Sequence, residues 1–126
     1  MPSNAVTISA LVLVYNRERA LARTLDELAK LPLIARVVVV DNASTDGSAS
    51  AAEGRPDTKV VRLGVNTGVA AFARGIGEIE TPFVLVLDDD AWPDAGSLSA
   101  AHALLSADDS LAAVALSPVH PESKVR

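Results

Sequence analysis

Apolar runs of strand length alternate with helix-spaced segments along this chain, and that alternation restricts its fold more than any other feature. Residues 6–14, 36–40, 59–63, 83–87 and 111–116 read as strands. After the first, Leu21, Leu25 and Leu28 recur at helical spacing until Pro32 ends the pattern. Residues 48–53 read as a short helix behind a loop whose Ser, Thr and Asp side chains can cap it. Gly64 and Asn66-Thr67-Gly68 then turn the chain into a helix with Val69, Phe72, Ala73, Ile76 and Ile79 on one face, and residues 97–105 form the last helix. The tail 117–126, with Pro118 and Pro121, reads as irregular. Strands separated by helices predict an α/β fold: a mostly parallel, Rossmann-like sheet with helices on both faces and right-handed crossovers.

A chain of 126 residues, 49% hydrophobic and 21% charged, can bury one sound core, so residues 1–126 are expected to be a single domain. Without cysteine there is no disulfide framework, thiol nucleophile or thiolate metal site, which is compatible with a reducing cytoplasm, the expected location. Any metal must sit on oxygen or histidine. A net charge of −5 with eleven scattered Lys and Arg argues against a nucleic-acid partner, since phosphate backbones demand clustered basic residues. The start, Met1-Pro2-Ser3-Asn4, shows no signal peptide, and no apolar stretch approaches the ~20 residues of a membrane helix.

In open parallel sheets, ligands bind beyond the carboxyl ends of the strands. Those ends supply Tyr15-Asn16-Arg17, Asp41-Asn42, Asn66-Thr67-Gly68 and the run Asp88-Asp89-Asp90. The last carries the most chemistry. It follows Phe83-Val84-Leu85-Val86-Leu87, which reads as a buried strand delivering acids to the sheet edge. Two such charges 4 Å apart repel by about 1 kcal/mol in water and roughly 4 kcal/mol at an effective dielectric near 20, so a bound cation is the better explanation. Oxygen ligands suit Mg²⁺ or Mn²⁺, ions that usually bring a phosphate with them. A solvated acidic turn capping the next helix is the structural alternative.

Taken together, the strand ends resemble the family-two glycosyltransferases of the GT-A fold. The resemblance rests on Val14-Tyr15-Asn16-Arg17, the stretch Val40-Asp41-Asn42-Ala43-Ser44-Thr45-Asp46-Gly47-Ser48, Asn66-Thr67-Gly68 with Ala73-Arg74, and Leu87-Asp88-Asp89-Asp90. The four motifs stand in family order at family spacing and cover residues 6–118. The resemblance implies the nucleotide-sugar-binding half of such an enzyme. By the same resemblance, Tyr15, with Asn16 and Arg17, belongs to the segment packed against the nucleotide base, and Asp41 matches the carboxylate that accepts from a uracil-type ring nitrogen. Arg74 matches a basic residue near base and phosphates. Asp88 and Asp89 match the ribose side, and Asp90, with Asp88, the metal position. The metal would neutralise a diphosphate leaving group.

Each residue also has a structural reading. Tyr15 can be a strand-end aromatic at the core rim, Asp41-Asn42 a turn starter, and Asn66 and Gly68 a device for turning the chain. Arg74 can be a solvated charge on a helix. Residues 44–47 read as a turn, Trp92 as packing beside the aspartate loop rather than stacking on a sugar, and His102 as a surface or core residue rather than a ligand. A nicotinamide-binding domain is rejected, because Tyr15-Asn16-Arg17 stands where Gly-x-Gly-x-x-Gly should follow the first strand. A phosphate-accepting receiver domain is rejected as well, because its paired acids follow the first strand and not the fourth.

Family members are about twice this length, and their second half supplies the acceptor site and the general base. The catalytic base is therefore expected beyond Arg126, with Asp94 and Glu122 poor candidates for it. The expected function is binding of a UDP- or dTDP-type sugar donor through Mn²⁺ or Mg²⁺, for inverting transfer to the hydroxyl of a saccharide, lipid or protein acceptor. A nucleotide-sugar-binding module without transferase activity is the alternative. An apolar face left open by the second half would favour self-association.

Overall fold

The computed structural model describes residues 8–116. Its sheet has four strands: β1 (Ile8–Val14), β2 (Ile34–Asp41), β3 (Thr58–Arg62) and β4 (Phe83–Asp88). All pairings are parallel, in the order β3-β2-β1-β4. β1 and β2 lie at the centre and are apolar on both faces, as strands covered from both sides must be. Register then fixes the edge that matters. Val14 pairs with Asp41, Asp41 with Arg62, and Leu13 with Asp88, so the strands end level and their following loops share one rim.

Helix α1 (Glu18–Leu28) buries Leu21, Thr24, Leu25 and Leu28, the stripe its spacing predicts. The short α2 (Ser48–Glu53) packs against α1, β2 and β3. The other face holds Leu11, Val38 and Val40 beneath Ala71, with Leu13, Val61, Leu63, Phe72 and Ile79 around them. The helix covering it departs from expectation. A 3-10 turn, Gly68–Ala71, leads into α3 (Phe72–Ile76), and the buried positions are Ala71 and Gly75, whereas Val69 and Ile76 are exposed. Gly75 explains the shift: a Cβ there would overlap Leu11 Cδ1 and stand 2.6 Å from Val40 Cγ2, so the helix seats its smallest residues on the sheet.

Two further expectations are corrected. β4 is not buried throughout: it lies at an edge of the sheet, α3 packs on β1 and β2, and Val84 and Val86 are exposed. Residues 111–116 form no strand, because an apolar run becomes one only when it pairs, and the sheet has no fifth member among the described residues. Val6, Thr7 and the expected irregular tail at 117–126 lie outside the described residues. The chain divides into two compact units, Met1–Trp92 and Pro93–Arg126. The second contains α4 (Ala95–Ala107), whose first turn is capped by Asp94 accepting from Ser97 N–H at 2.7 Å. No helix among the described residues is long and apolar enough to cross a membrane.

Candidate functional site

Beyond β1, the chain turns through Asn16, whose φ of 51° is left-handed, a conformation Asn tolerates better than most residues. The turn is locked to the loop after β2. Asn16 N–H donates to Ser44 Oγ at 2.9 Å, and Asn16 Oδ1 accepts from Thr45 N–H at 2.7 Å and Asp46 N–H at 3.3 Å. Asp46 in turn accepts from Glu18 N–H at 3.2 Å and Ser48 N–H at 2.9 Å, and Gly47 N–H donates to Glu18 Oε1 at 3.2 Å. Asp46 is held below the usual carboxylate range, chiefly by the Ser48 hydroxyl. The predicted site residue Asn16 thus points into this latch, while its neighbours Tyr15 and Arg17 face the cleft described next.

That cleft, open and about 320 Å³, is lined by Leu13, Tyr15, Arg17, Asn42, Asp88, Asp89 and Asp90. The aspartate turn is pinned from behind: the fully buried Thr24 of α1 donates its hydroxyl to the Asp89 carbonyl at 2.7 Å. Asp89 is itself buried, which pushes its carboxyl above the usual range. The Arg17 guanidinium opposes that shift, and the neighbouring Asp90 and Asp88 add to it. Arg17 reaches both acids, with Nε 3.6 Å from Asp89 Oδ1 and Nη2 3.3 Å from Asp90 Oδ2. Tyr15 is half-exposed at the rim. Beside the turn, the exposed Arg23 stacks over the half-buried Trp92 ring, 5.2 Å from its centroid.

The remaining predicted residues do not line this cleft. Asp41 is buried, and its Oδ1 accepts from Ser44 N–H at 3.2 Å. Asn66 Oδ1 accepts from Gly68 N–H at 2.8 Å, and Gly68 has a φ of 64°, so this pair builds the turn into the 3-10 segment. Arg74 lines a second cleft of about 400 Å³ with Arg62, Leu63, Gly64, Val65 and Thr67. Sequence reasoning left Asn42 out of the site set, yet Asn42 lines the first cleft and secures the 66–68 turn. Its Nδ2 donates to Gly68 O at 3.1 Å and its Oδ1 accepts from Thr67 N–H at 2.9 Å. Its place directly after Asp41 at a strand end was the available signal. Asp94 serves as a helix cap, accepting from both the amide and the hydroxyl of Ser97.

Among the described residues no three His, Asp or Glu side chains are placed to enclose a metal ion. Mg²⁺ and Mn²⁺ do not require such a cage beside phosphate, since one or two carboxylates suffice and phosphate oxygens and water complete the shell. The exposed Asp88 and Asp90 beside an open cleft fit that kind of ion.

Two solved structures share the fold of this chain. A mannosyltransferase from Pyrobaculum calidifontis, solved with GDP-Man and Mn²⁺, superposes with a TM-score of 0.71 at 30% identity, over 79% of this chain and 32% of that one. Glucosyl-3-phosphoglycerate synthase from Mycobacterium tuberculosis, solved with UDP, superposes with a TM-score of 0.64 at 22% identity, over 79% of this chain and 39% of that one, and shows the shared fold. The chain therefore spans about a third to two-fifths of the length of these structures. No curated protein sequence matches it. The model of glycosyl transferase family 2 matches residues 9–125, and with the parallel α/β sheet and its neighbours of GT-A fold this chain belongs to that family.

Proposed function

We propose that the chain binds the nucleoside-diphosphate sugar donor of an inverting, metal-dependent sugar transfer. The observation that carries this reading is the cleft at the carboxyl ends of β1 and β4, where Tyr15, Arg17, Asn42 and three aspartates meet. In it, Tyr15 offers an aromatic face to the base. Asp41, buried directly before the cleft residue Asn42, would supply the carboxylate that accepts the ring N–H of a uracil or thymine. Asp88 and Asp89 stand on the ribose side. Arg74, from the neighbouring cleft, supplies positive charge toward base and phosphates. Asp90, with Asp88, would hold Mn²⁺ or Mg²⁺. When bound, that ion supplies Lewis-acid stabilisation to the departing diphosphate. The metal-bearing neighbour, the Pyrobaculum mannosyltransferase with Mn²⁺, supports the choice of ion.

Transfer also needs a base to take the acceptor hydroxyl's proton. Asp94 is occupied as a helix cap, and Glu122 lies outside the described residues. We assign the base and the acceptor site to sequence beyond this donor half. The test is calorimetry of UDP and ADP with Mn²⁺ and with chelator. UDP should bind at least tenfold more tightly with metal and more tightly than ADP, whose base has no ring N–H to donate, and Asp90→Ala should remove the metal dependence. Equal UDP affinity with and without metal refutes the cation reading, and ADP binding as well as UDP refutes the base assignment.

A further inference from the structure

We propose that Arg17 is a built-in counter-ion of the aspartate cluster, occupying the divalent ion's place on Asp90 and releasing it when the ion binds. The inference rests on reading the cluster as a cation site. Arg17 is the only basic residue among those described as lining the cleft, and its guanidinium spans two carboxylates, at 3.3 Å from Asp90 Oδ2 and 3.6 Å from Asp89 Oδ1. A guanidinium carries one positive charge at every accessible pH, so it offsets one of the cluster's three carboxylates. A divalent ion coordinates carboxylate oxygen at about 2.1 Å, and with the guanidinium on the same oxygen the two cations would repel across roughly 5 Å, so an arriving ion weakens the Arg17 contact with Asp90.

The two acids differ in what they permit. The side chains of Arg17 and Asp90 are 53% and 52% exposed, so their contact can open into water with little desolvation. Asp89 is 10% exposed at its side chain, and Thr24 holds its carbonyl, so its contact with the Arg17 Nε can persist. The exchange is thereby confined to Asp90. Arg17 holds the aspartate turn in shape while no ion is present, and in doing so it weakens the protein's hold on an ion that arrives without nucleotide.

The test is a titration of Mn²⁺ alone into the 126-residue chain, read by electron paramagnetic resonance, on wild type, Arg17→Gln, Arg17→Ala and Asp90→Asn. Both Arg17 variants should bind Mn²⁺ about two- to fivefold more tightly than wild type, the range expected for loss of one exposed competing ion pair. Asp90→Asn should bind it at least tenfold more weakly. Unchanged or weaker binding in the Arg17 variants, with Asp90→Asn still impaired, overturns the counter-ion proposal and leaves the cation site standing. Equal binding by wild type and Asp90→Asn overturns the cation site and this proposal with it.

Discussion

Replacing Asn16 separates a residue that touches the nucleotide from one that builds the platform beneath it. In the structure its Oδ1 accepts from two backbone amides, Thr45 at 2.7 Å and Asp46 at 3.3 Å, and its φ of 51° lies in the left-handed region. Each amide contact is solvent-accessible and contributes about 0.5–1.5 kcal/mol, and an alanine forced into the left-handed region costs about 1–2 kcal/mol. Asn16→Ala should therefore lower unfolding free energy by about 2–5 kcal/mol, a large share of a small domain's stability. Asn16→Gly loses the same two contacts but tolerates the backbone, so it should recover about 1 kcal/mol relative to alanine. Urea denaturation of the three proteins reads both differences. Near-equal stability of all three would refute the latch, and a fall in nucleotide affinity without a fall in stability would return Asn16 to the ligand-binding set.

Two more variants probe how the frame is held. Thr24→Val removes the hydroxyl that meets the Asp89 carbonyl at 2.7 Å and leaves a buried acceptor unpaired; it should cost about 1–3 kcal/mol by urea denaturation, and no loss would mean that the turn is held by other contacts. Gly75→Ala, whose new methyl would overlap the fully buried Leu11 and crowd Val40, should destabilise despite alanine's better helix propensity, whereas Gly77→Ala, with its nearest neighbour at 3.7 Å, should be neutral or stabilising. Thermal melts in which the two glycine variants behave alike would refute the close packing of α3.

The parts of the molecule legible in the sequence were those where local pattern and tertiary context agree. Leu21, Leu25 and Leu28 at helical spacing marked the buried stripe of α1, and the valines at 37–40 marked β2 as a strand. The segment at 68–79 was misread because its apolar residues imply one face, while steric fit imposes another. Gly75 permits an approach to Leu11 and Val40 that no larger residue could make, and Val69 and Ile76 are turned outward in consequence. Residues 111–116 have strand composition, but composition does not supply a partner strand. At the rim, the sequence marked Asp41 and the three aspartates through their chemistry and missed Asn42. Asn42 stood in the sequence only as the strand-end neighbour of Asp41, and its role emerges only when it clamps Thr67 and Gly68, about 25 residues away.

The rim residues divide into those whose polar atoms are already engaged and those that retain capacity for a ligand. Asn16, Asn42, Ser44, Asp46 and Asn66 each bond to backbone atoms of the loops, so strand ends far apart in sequence are held at fixed spacing. Thr24 does the same for the aspartate turn from the helix side. What faces the cleft from this frame is the half-exposed ring of Tyr15, the exposed carboxylates of Asp88 and Asp90, and Arg17, whose contact with Asp90 is exposed. A frame satisfied internally need not reorganise when a charged ligand arrives, which lowers the ordering cost of binding. The reorganisation left to binding is then concentrated in Arg17, the one cation in the cleft among the described residues. On the proposed reading, an arriving diphosphate and its ion would find the exposed carboxylates held in place and would have this one guanidinium contact to displace.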